Sequence, residues 1–343
     1  MPGPDVTPAV GTAGEQPRTA RQIQMHALFD PSRGPGLEIG PLHQPLLTKD
    51  EADVRFVDVH DRAGLQESYR SHENFPVEQI QEPDFVLIGP EGLRSLPDAV
   101  GAGTYDWVVA SHVIEHVPDV VGWLQEVAEV LADDGVLVLA VPDRRFSFDV
   151  ERDTTTVGEM LLAHRSRDQS PSVRAVYDHF SRCRHIDPAH VWRHEAPGPR
   201  MYGQDFVLEK VAEAESGTYV DCHVWVWTPA GLVEQLAELA ALGLTELVVE
   251  QVVDTPFDDL EFYVLLRRLP RTLDDAGREE QRERSITSWT DAQPPPLPVP
   301  EGGGVDDDPE AVARSLSASE VRLVLAKRRA LHRARRLLRP RAR

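Results

Sequence analysis

The ten residues Gly36 to Pro45, GLEIGPLHQP, contain the clearest structural signal in the chain. An apolar strand carries the acid Glu38 near its end and runs into a turn at Gly40 and Pro41. Glycine lets the backbone approach a ligand closely, because no Cβ stands in the way. In open α/β sheets, ligands bind at the carboxyl ends of the strands. Taken alone, however, the stretch fits an ordinary tight turn after a buried strand better than a ligand site.

A second strand, Val54 to Asp58, ends in an acid about twenty residues after that turn, the spacing of a nucleotide-binding sheet. A carboxylate at this position can accept hydrogen bonds from both hydroxyls of a ribose. The alternative is a solvated acid at the end of a strand. Because the spacing matches, we favour a ligand-binding role for Asp58.

Short β-rich runs alternate with helical or polar segments from about residue 22 to 270. The first five runs are Gly36–Ile39, Val54–Val59, Phe85–Ile88, Trp107–Ala110 and Val136–Val141. Such alternation predicts parallel pairing and a doubly wound α/β sheet. After a further strand-like run, Tyr219–Trp227, and a helix, Pro229–Leu242, come two last runs, Leu247–Val253 and Glu261–Leu266. The connection between these two is so short that it predicts an antiparallel hairpin.

Composition divides the rest of the chain. We predict a disordered leader, a main domain with an insertion after its fifth strand, a disordered linker and a basic amphipathic helix. Their boundaries are 1–21, 22–270 with the insertion at 144–217, 271–315 and 316–343. The terminal segment from Glu320 to Arg343 holds ten Lys or Arg and one acid. It can be a solvated end, a helix on an anionic membrane surface, or a contact for a protein partner.

Charge and cysteine content restrict the function. Acids outnumber bases 57 to 36 among the 343 residues, which gives a net charge of −21 and argues against a nucleic acid as partner. The two cysteines, Cys183 and Cys222, cannot form a disulfide scaffold and suit a reducing compartment. The sequence shows no long apolar run for a membrane span and no signal-peptide pattern. We therefore expect a cytoplasmic protein.

Two further motifs follow in order, SHVIEHVPD at 111–119 and DDGVLVLAVPD at 133–143. Together with the Gly40 turn and Asp58, they resemble the class I S-adenosylmethionine-dependent methyltransferases, specifically the small-molecule, type 11/type 23-like branch. The segment HVWVWTPAGLVEQLAELAALGL, at 223–244, resembles the last helix of that family and its lead-in. The resemblance covers about residues 23–269. It implies a Rossmann-like, seven-stranded sheet with an antiparallel last strand, S-adenosylmethionine as cofactor, and methyl transfer.

The resemblance also implies roles for single residues. Glu38 and Gly40, with Pro41, would face the methionine end of the cofactor, and Asp58 would hold its ribose. The segment from Ile88 to Leu93, which includes Gly89, would flank the adenine. Ser111 and His112 would close over the cofactor after the fourth strand. Glu115 and His116 match the family's Glu-His pair, for which substrate contact and helix capping are equally open.

The methyl acceptor is not defined by these motifs. Methyl transfer is an in-line displacement, so catalysis is mostly positioning, but a hydroxyl acceptor also benefits from a base, for which histidine is suited. We predict His223, His185 and Asp221 as catalytic residues, with Asp221 and His223 on one face of a strand. The spacing of the histidines in the insertion, from His185 to His194, fits no regular zinc pattern, so we predict no metal.

By family analogy alone, the expected substrate is a small molecule or a sugar-containing intermediate, methylated on oxygen. The main alternative is a non-catalytic, methyltransferase-like binding protein that acts through its basic tail. A nucleic-acid methyltransferase is the third hypothesis. The acidity of the residues before the tail argues against it.

Overall fold

A seven-stranded sheet forms the centre of the computed structural model, which describes residues 18–70 and 75–293. Numbered along the chain, all the strands are β1 (Gly36–Ile39), β2 (Val54–Asp58), β3 (Phe85–Val86), β4 (Ile88–Gly89), β5 (Gly92–Leu93), β6 (Tyr105–Ser111), β7 (Leu131–Pro142), β8 (Leu247–Val253) and β9 (Glu261–Arg268). The order in the sheet is β3-β2-β1-β6-β7-β9-β8, and β4 and β5 form a separate hairpin. Within the seven-stranded sheet, β3, β2, β1, β6 and β7 pair in parallel, in that order. Strand β9 runs antiparallel to both its neighbours, β7 and β8. The predicted Rossmann-like topology is confirmed.

Ten α-helices surround the sheet in the described residues. They are α1 (Ala20–His26), α2 (Arg62–Tyr69), α3 (Leu96–Val100), α4 (Val120–Val130), α5 (Val157–Ser166), α6 (Val173–Arg182), α7 (Pro188–Trp192), α8 (Gln204–Glu215), α9 (Pro229–Ala241) and α10 (Asp275–Arg284). Polar side chains define several helix starts: the Asp119 carboxylate, for example, accepts a hydrogen bond from the Gly122 amide at 2.8 Å at the start of α4. Helix α9 begins at Pro229 and is capped in the same way by Thr228.

Both faces of the sheet are covered, which explains why its strands read as near-continuous apolar runs. Successive side chains of a strand point to opposite faces, so neighbouring residues belong to different cores. In β6 the buried Val108 lies in the larger core, whereas Trp107 and Val109 lie in the smaller one. The smaller core is closed by Met25 of α1, which is completely buried.

The insertion after β7 is a packed layer of helices, α5 to α8. Met160, Val176, Phe180 and Val207 from this layer are buried in the larger core. Because these side chains are buried in the larger core, the helices of the insertion form part of the folded domain. The run Tyr219–Trp227, predicted as a strand, forms no strand of a sheet; it makes one isolated bridge, between Trp227 and Asp143.

Two predicted boundaries are corrected by the structure. Helix α1 starts at Ala20, inside the predicted leader, because Thr19 and Gln22 form a reciprocal cap. At the other end, α10 lies inside the predicted linker, and Ile286 and Trp289 beyond it pack against the larger core. The linker prediction is therefore wrong for 271–293. The remainder, 294–315, and the predicted basic helix at 316–343 lie outside the described residues.

The length and apolar character of a helix decide whether it can cross a bilayer. Over 18–70 and 75–293, no helix combines the length and the apolar character that a membrane span needs.

Candidate active site at the carboxyl ends of the strands

The order of the sheet reverses at β1, which pairs with β2 on one side and with β6 on the other. Open α/β sheets bind ligands outside the carboxyl ends of the strands at such a reversal. Gly40 follows β1 here, while Asp58 ends β2 and Ser111 ends β6. Three predicted cofactor residues therefore lie at one edge of the sheet, which we call the cofactor edge.

The turn after β1 requires glycine at its first position. Gly40 has a φ of +68°, and a Cβ built there would lie 3.0 Å from the Cγ2 atom of Val113. Its amide donates a hydrogen bond to the Val57 carbonyl at 3.0 Å, which joins the turn to β2. Pro41 is buried, and its carbonyl accepts a hydrogen bond from the Gln44 amide at 3.2 Å. The turn is thus held by backbone contacts.

Glu38 is directed toward the loop that follows this turn. Its carboxylate is 4% exposed and accepts hydrogen bonds from the amides of Leu46, at 2.7 Å, and Leu47, at 3.5 Å. Burial raises the pKa of Glu38 to about 8, against the opposing effect of these two bonds. The sequence predicted contact with the methionine end of the cofactor. The contact observed is with the loop, which Glu38 positions.

Asp58 has one oxygen without a partner. Its Oδ1 atom accepts a hydrogen bond from the Val59 amide at 2.7 Å, whereas Oδ2 is buried and makes no hydrogen bond within the described residues. Burial raises the pKa of this carboxyl to about 6. The hairpin that contains Gly89 lies nearby, because the Ile88 amide donates to the Val59 carbonyl at 3.0 Å. A buried acceptor without a donor is a place where a ligand hydroxyl can bind.

The end of β6 is held by contacts that the sequence analysis missed. His112 has a φ of +54°, and its imidazole Nε2 atom contacts the Glu261 carboxylate. Arg21 of α1 donates to the same carboxylate at 2.8 Å. Burial alone would raise the pKa of Glu261, but His112 and Arg21 lower it to about 2. Ser111, one residue earlier, keeps a buried hydroxyl without a hydrogen bond in the described part of the chain.

Three imidazoles surround the carboxylate of Glu115. From its Oε1 atom, His112 Nδ1 lies at 3.5 Å, His223 Nε2 at 3.9 Å and His116 Nε2 at 4.0 Å. Glu115 is 1% exposed, and neither of its oxygens makes a hydrogen bond with the described residues. We call these four residues the imidazole cluster.

In each imidazole, the ring nitrogen that does not face Glu115 is bound by a second carboxylate. His116 Nδ1 lies 3.0 Å from Asp221 Oδ1, and His223 Nδ1 lies 2.6 Å from Asp149 Oδ2. The pKa of His116 is raised to about 9, because the neighbouring Asp221 and Glu115 outweigh the opposing effect of burial. Such bonds orient a ring and leave its second nitrogen for another partner. Here the second nitrogens all face Glu115.

Of the three predicted catalytic residues, two reach the imidazole cluster and one does not. Asp221, which is exposed, and His223, which is buried, both reach the imidazole cluster, although the segment that carries them is not the predicted strand. His185 is exposed on the insertion, where its amide donates to the Pro199 carbonyl at 3.0 Å. The structure thus does not join His185 to the cluster. Asp149, an essential partner of His223, carried no signal in the sequence.

A family model described as a methyltransferase domain, of type 23, matches residues 16–196. No curated protein matches the chain. A solved S-adenosylmethionine-dependent methyltransferase from Listeria monocytogenes is 13% identical, with 72% of this chain and 96% of that chain covered and a TM-score of 0.35.

Two other solved structures are similar at the same level. One is an S-adenosylmethionine-dependent methyltransferase from Mesorhizobium loti, 13% identical, covering 73% of this chain and 98% of that one, with a TM-score of 0.36. The other is the CurJ carbon methyltransferase, 15% identical, covering 72% and 54%, with a TM-score of 0.28. The family model spans more than half of the chain. The chain belongs to the class I S-adenosylmethionine-dependent methyltransferases of the type 11/23 branch, and S-adenosylmethionine is its cofactor.

Proposed function

We propose that this methyltransferase acts on an oxygen atom of a small molecule or of a sugar-containing intermediate. The observation that carries the proposal is the imidazole cluster, in which three rings supported by carboxylates converge on Glu115 directly after β6. This cluster begins one residue after Ser111, at the cofactor edge. A polar group of this kind can bind an acceptor oxygen and orient it toward the methyl group.

The cofactor edge fits S-adenosylmethionine. The unpaired Oδ2 atom of Asp58 can accept a hydrogen bond from a ribose hydroxyl, and the missing Cβ of Gly40 leaves room next to Val113. Ser111 offers a hydroxyl without a partner, and Gly89 lies in the hairpin expected to flank the adenine. When bound, the cofactor supplies an electrophilic methyl group on a positively charged sulfur. The protein's contribution is to hold and orient both reactants.

On the acceptor side, His116 is the ring that a substrate can reach together with His112. The His116 side chain is 32% exposed, whereas that of His223 is 8% exposed. The two rings meet edge to face with their centroids 4.8 Å apart. In our proposal His116 therefore contacts the acceptor, Asp221 orients His116, and His223 supports the cluster from its buried side through Asp149.

The test is a methylation assay with full-length protein and acceptors that carry hydroxyl, carboxyl or amine groups, simple sugars included. Mass spectrometry and NMR of the product identify the methylated atom. We expect methyl transfer to oxygen, and about 100-fold slower turnover in His116→Gln with unchanged affinity for S-adenosylmethionine. Asp187→Asn, an exposed acid on the insertion, is the matched control. Products methylated only on nitrogen or carbon would refute the proposal.

Two expectations concern the whole protein. We propose that the basic segment at 316–343 contacts an anionic membrane surface or a protein partner, and that the protein is cytoplasmic. The support is the concentration of Lys and Arg in this segment next to an acidic main domain. Co-sedimentation with anionic vesicles at low and high salt tests the membrane contact. Binding that does not respond to salt would contradict it.

A further inference from the structure

We propose that Glu115, His116 and His223 bind a divalent transition-metal ion, for which Zn²⁺ is the best match. The ligand atoms of these three residues lie within 4.8 Å of one another. Binding of the ion is independent of the methyl acceptor. With the ion bound, the acceptor oxygen would be held by the ion and not by His116 Nε2 itself, and this use in catalysis rests on the proposed function.

The first argument is the state of Glu115. A buried carboxylate normally accepts several hydrogen bonds, because an unpaired buried charge costs free energy. Glu115 is 1% exposed, yet neither oxygen has a hydrogen bond among the described residues. The three imidazole nitrogens that face it lie 3.5 to 4.0 Å from Oε1 and make no hydrogen bond to it. A cation between them would satisfy both the carboxylate and the rings.

The second argument is the support behind the rings. Histidines that bind metals almost always donate their other ring N–H to a carboxylate or a carbonyl, which fixes the ring and its tautomer. His116 has this bond to Asp221, and His223 has it to Asp149. Each ring therefore directs its remaining nitrogen, Nε2, toward Glu115. Ordinary salt bridges to Glu115 alone would not require these second carboxylates.

The third argument is the distance between the ligand atoms. Zinc binds imidazole nitrogen at about 2.0–2.1 Å and carboxylate oxygen at about 2.0–2.2 Å, so tetrahedral ligand atoms are about 3.4 Å apart. The distances from Glu115 Oε1 to His116 and His223, 4.0 and 3.9 Å, exceed this by about half an ångström, and all three ligand atoms lie within 4.8 Å of one another. Small rotations of the side chains close that difference.

The ligand set also indicates the kind of ion. Two histidines and one glutamate leave a fourth position open, as in catalytic rather than structural zinc sites. The exposed side of His116 is where an acceptor oxygen could take that position. Imidazole and carboxylate ligands favour Zn²⁺ over Mg²⁺, which prefers oxygen alone. The proposal revises the prediction of no metal, which was based on other histidines, His185, His190 and His194.

A second group of potential ligands, Asp149, His179 and Cys183, is less suitable. His179 Nδ1 already accepts a hydrogen bond from the His223 amide at 3.2 Å. Asp149 is bonded to Arg152 at 2.7 Å as well as to His223. In contrast to Glu115, these atoms have partners without an ion.

The test is calorimetric titration of the full-length, chelator-treated protein with ZnCl₂. We expect one ion per chain with micromolar or tighter affinity. Glu115→Gln should weaken binding at least 100-fold. Asp221→Asn, which changes an exposed side chain and should not disturb folding, should weaken it 10- to 100-fold by releasing the His116 ring. His190→Gln is the control, because His190 is an exposed histidine near acids outside the cluster.

Equal affinity in wild type, Glu115→Gln and Asp221→Asn would overturn the proposal, as would an equal loss in His190→Gln. Thermal unfolding of each variant without metal shows that the fold is retained. Methylation measured with and without chelator separates the two proposals. Zinc binding without oxygen methylation would contradict the proposed function alone, whereas oxygen methylation by a protein that binds no zinc would contradict the metal site alone.

Discussion

The cofactor edge and the imidazole cluster lie at the same end of the sheet but are built differently. At the cofactor edge, backbone contacts hold Gly40 and Pro41, and the polar atoms of Asp58 and Ser111 are left without partners. In the cluster, each imidazole is already bound by a carboxylate. The first region is arranged to receive donors and acceptors from a ligand. In the second region the charged groups are already held in place: three rings face Glu115, and a further carboxylate binds each ring.

This comparison predicts that substitutions in the two regions affect different quantities. Changes at the cofactor edge should alter the affinity for S-adenosylmethionine. Changes in the imidazole cluster should alter turnover instead, because the contacts of the cluster do not include Asp58 or Gly40.

The largest expected effect is on turnover. His223→Ala should lower kcat about 100-fold, because it removes one of the rings around Glu115 and one of the two partners of Asp149. Affinity for S-adenosylmethionine, measured by calorimetry, should stay within about twofold. His190→Ala, outside the cluster, is the control. If turnover and cofactor affinity fell together, His223 would be a structural residue and the two regions would not be separable.

The next effect is on cofactor binding. Asp58→Ala should weaken the affinity for S-adenosylmethionine and S-adenosylhomocysteine tenfold or more, which corresponds to about 1.4 kcal/mol. The physical reason is the loss of the buried Oδ2 atom that a ribose hydroxyl can reach. Asp50→Ala, an exposed acid, should leave the affinity unchanged. Unaltered binding by Asp58→Ala would remove Asp58 from the cofactor site.

A third effect depends on pH. Because burial raises the pKa of Asp58 to about 6, this carboxyl is ionised above that pH and protonated below it. Affinity for S-adenosylmethionine should therefore be constant above about pH 7 and fall as the pH decreases through 6. Calorimetry between pH 5 and 8 measures the curve. Asp58→Asn should remove this dependence; a variant that keeps the wild-type curve would show that another group titrates.

The last expected effect is on stability rather than on activity or binding. The pKa of Glu38 is raised from 4.5 to about 8, so the folded state holds a proton that the unfolded state releases between these values. The contribution of Glu38 to stability is then fully present below about pH 4.5 and is lost as the pH rises toward 8. Melting temperatures of wild type and Glu38→Gln should diverge as the pH rises from about 4.5 to 8, with the variant the more stable at the upper end. Parallel curves would contradict this.

Much of the sheet was predictable because its signals are local. Glu38 to Gly40 and Asp58 stand at the ends of apolar runs, and a strand that ends in an acid is visible within five residues. The hairpin of β8 and β9 followed from its short connection. The run Tyr219–Trp227 was predicted as a strand but lies outside the sheets. A buried apolar segment has the same composition whether or not it hydrogen-bonds into a sheet.

Residues 271–293 and the insertion were harder to predict, because contacts with residues distant in sequence decide which of their side chains are buried. Residues 271–293 are polar overall, but Trp289 donates to Asp254 and packs on the larger core, which anchors this segment. Among the insertion histidines, His179 is buried and His185 is exposed, although their local sequences give no basis for separating them.

Local pattern in the chain was sufficient for the parallel sheet, its antiparallel last strand, the turn at Gly40 and the family, because each depends on residues that are neighbours in sequence. Tertiary structure alone decided the imidazole cluster. His223 meets Asp149 across 74 positions, His116 meets Asp221 across 105, and His112 meets Glu261 across 149. Contacts between such distant segments leave no periodicity or spacing in the sequence, since they form only when the insertion and β9 pack against the end of β6.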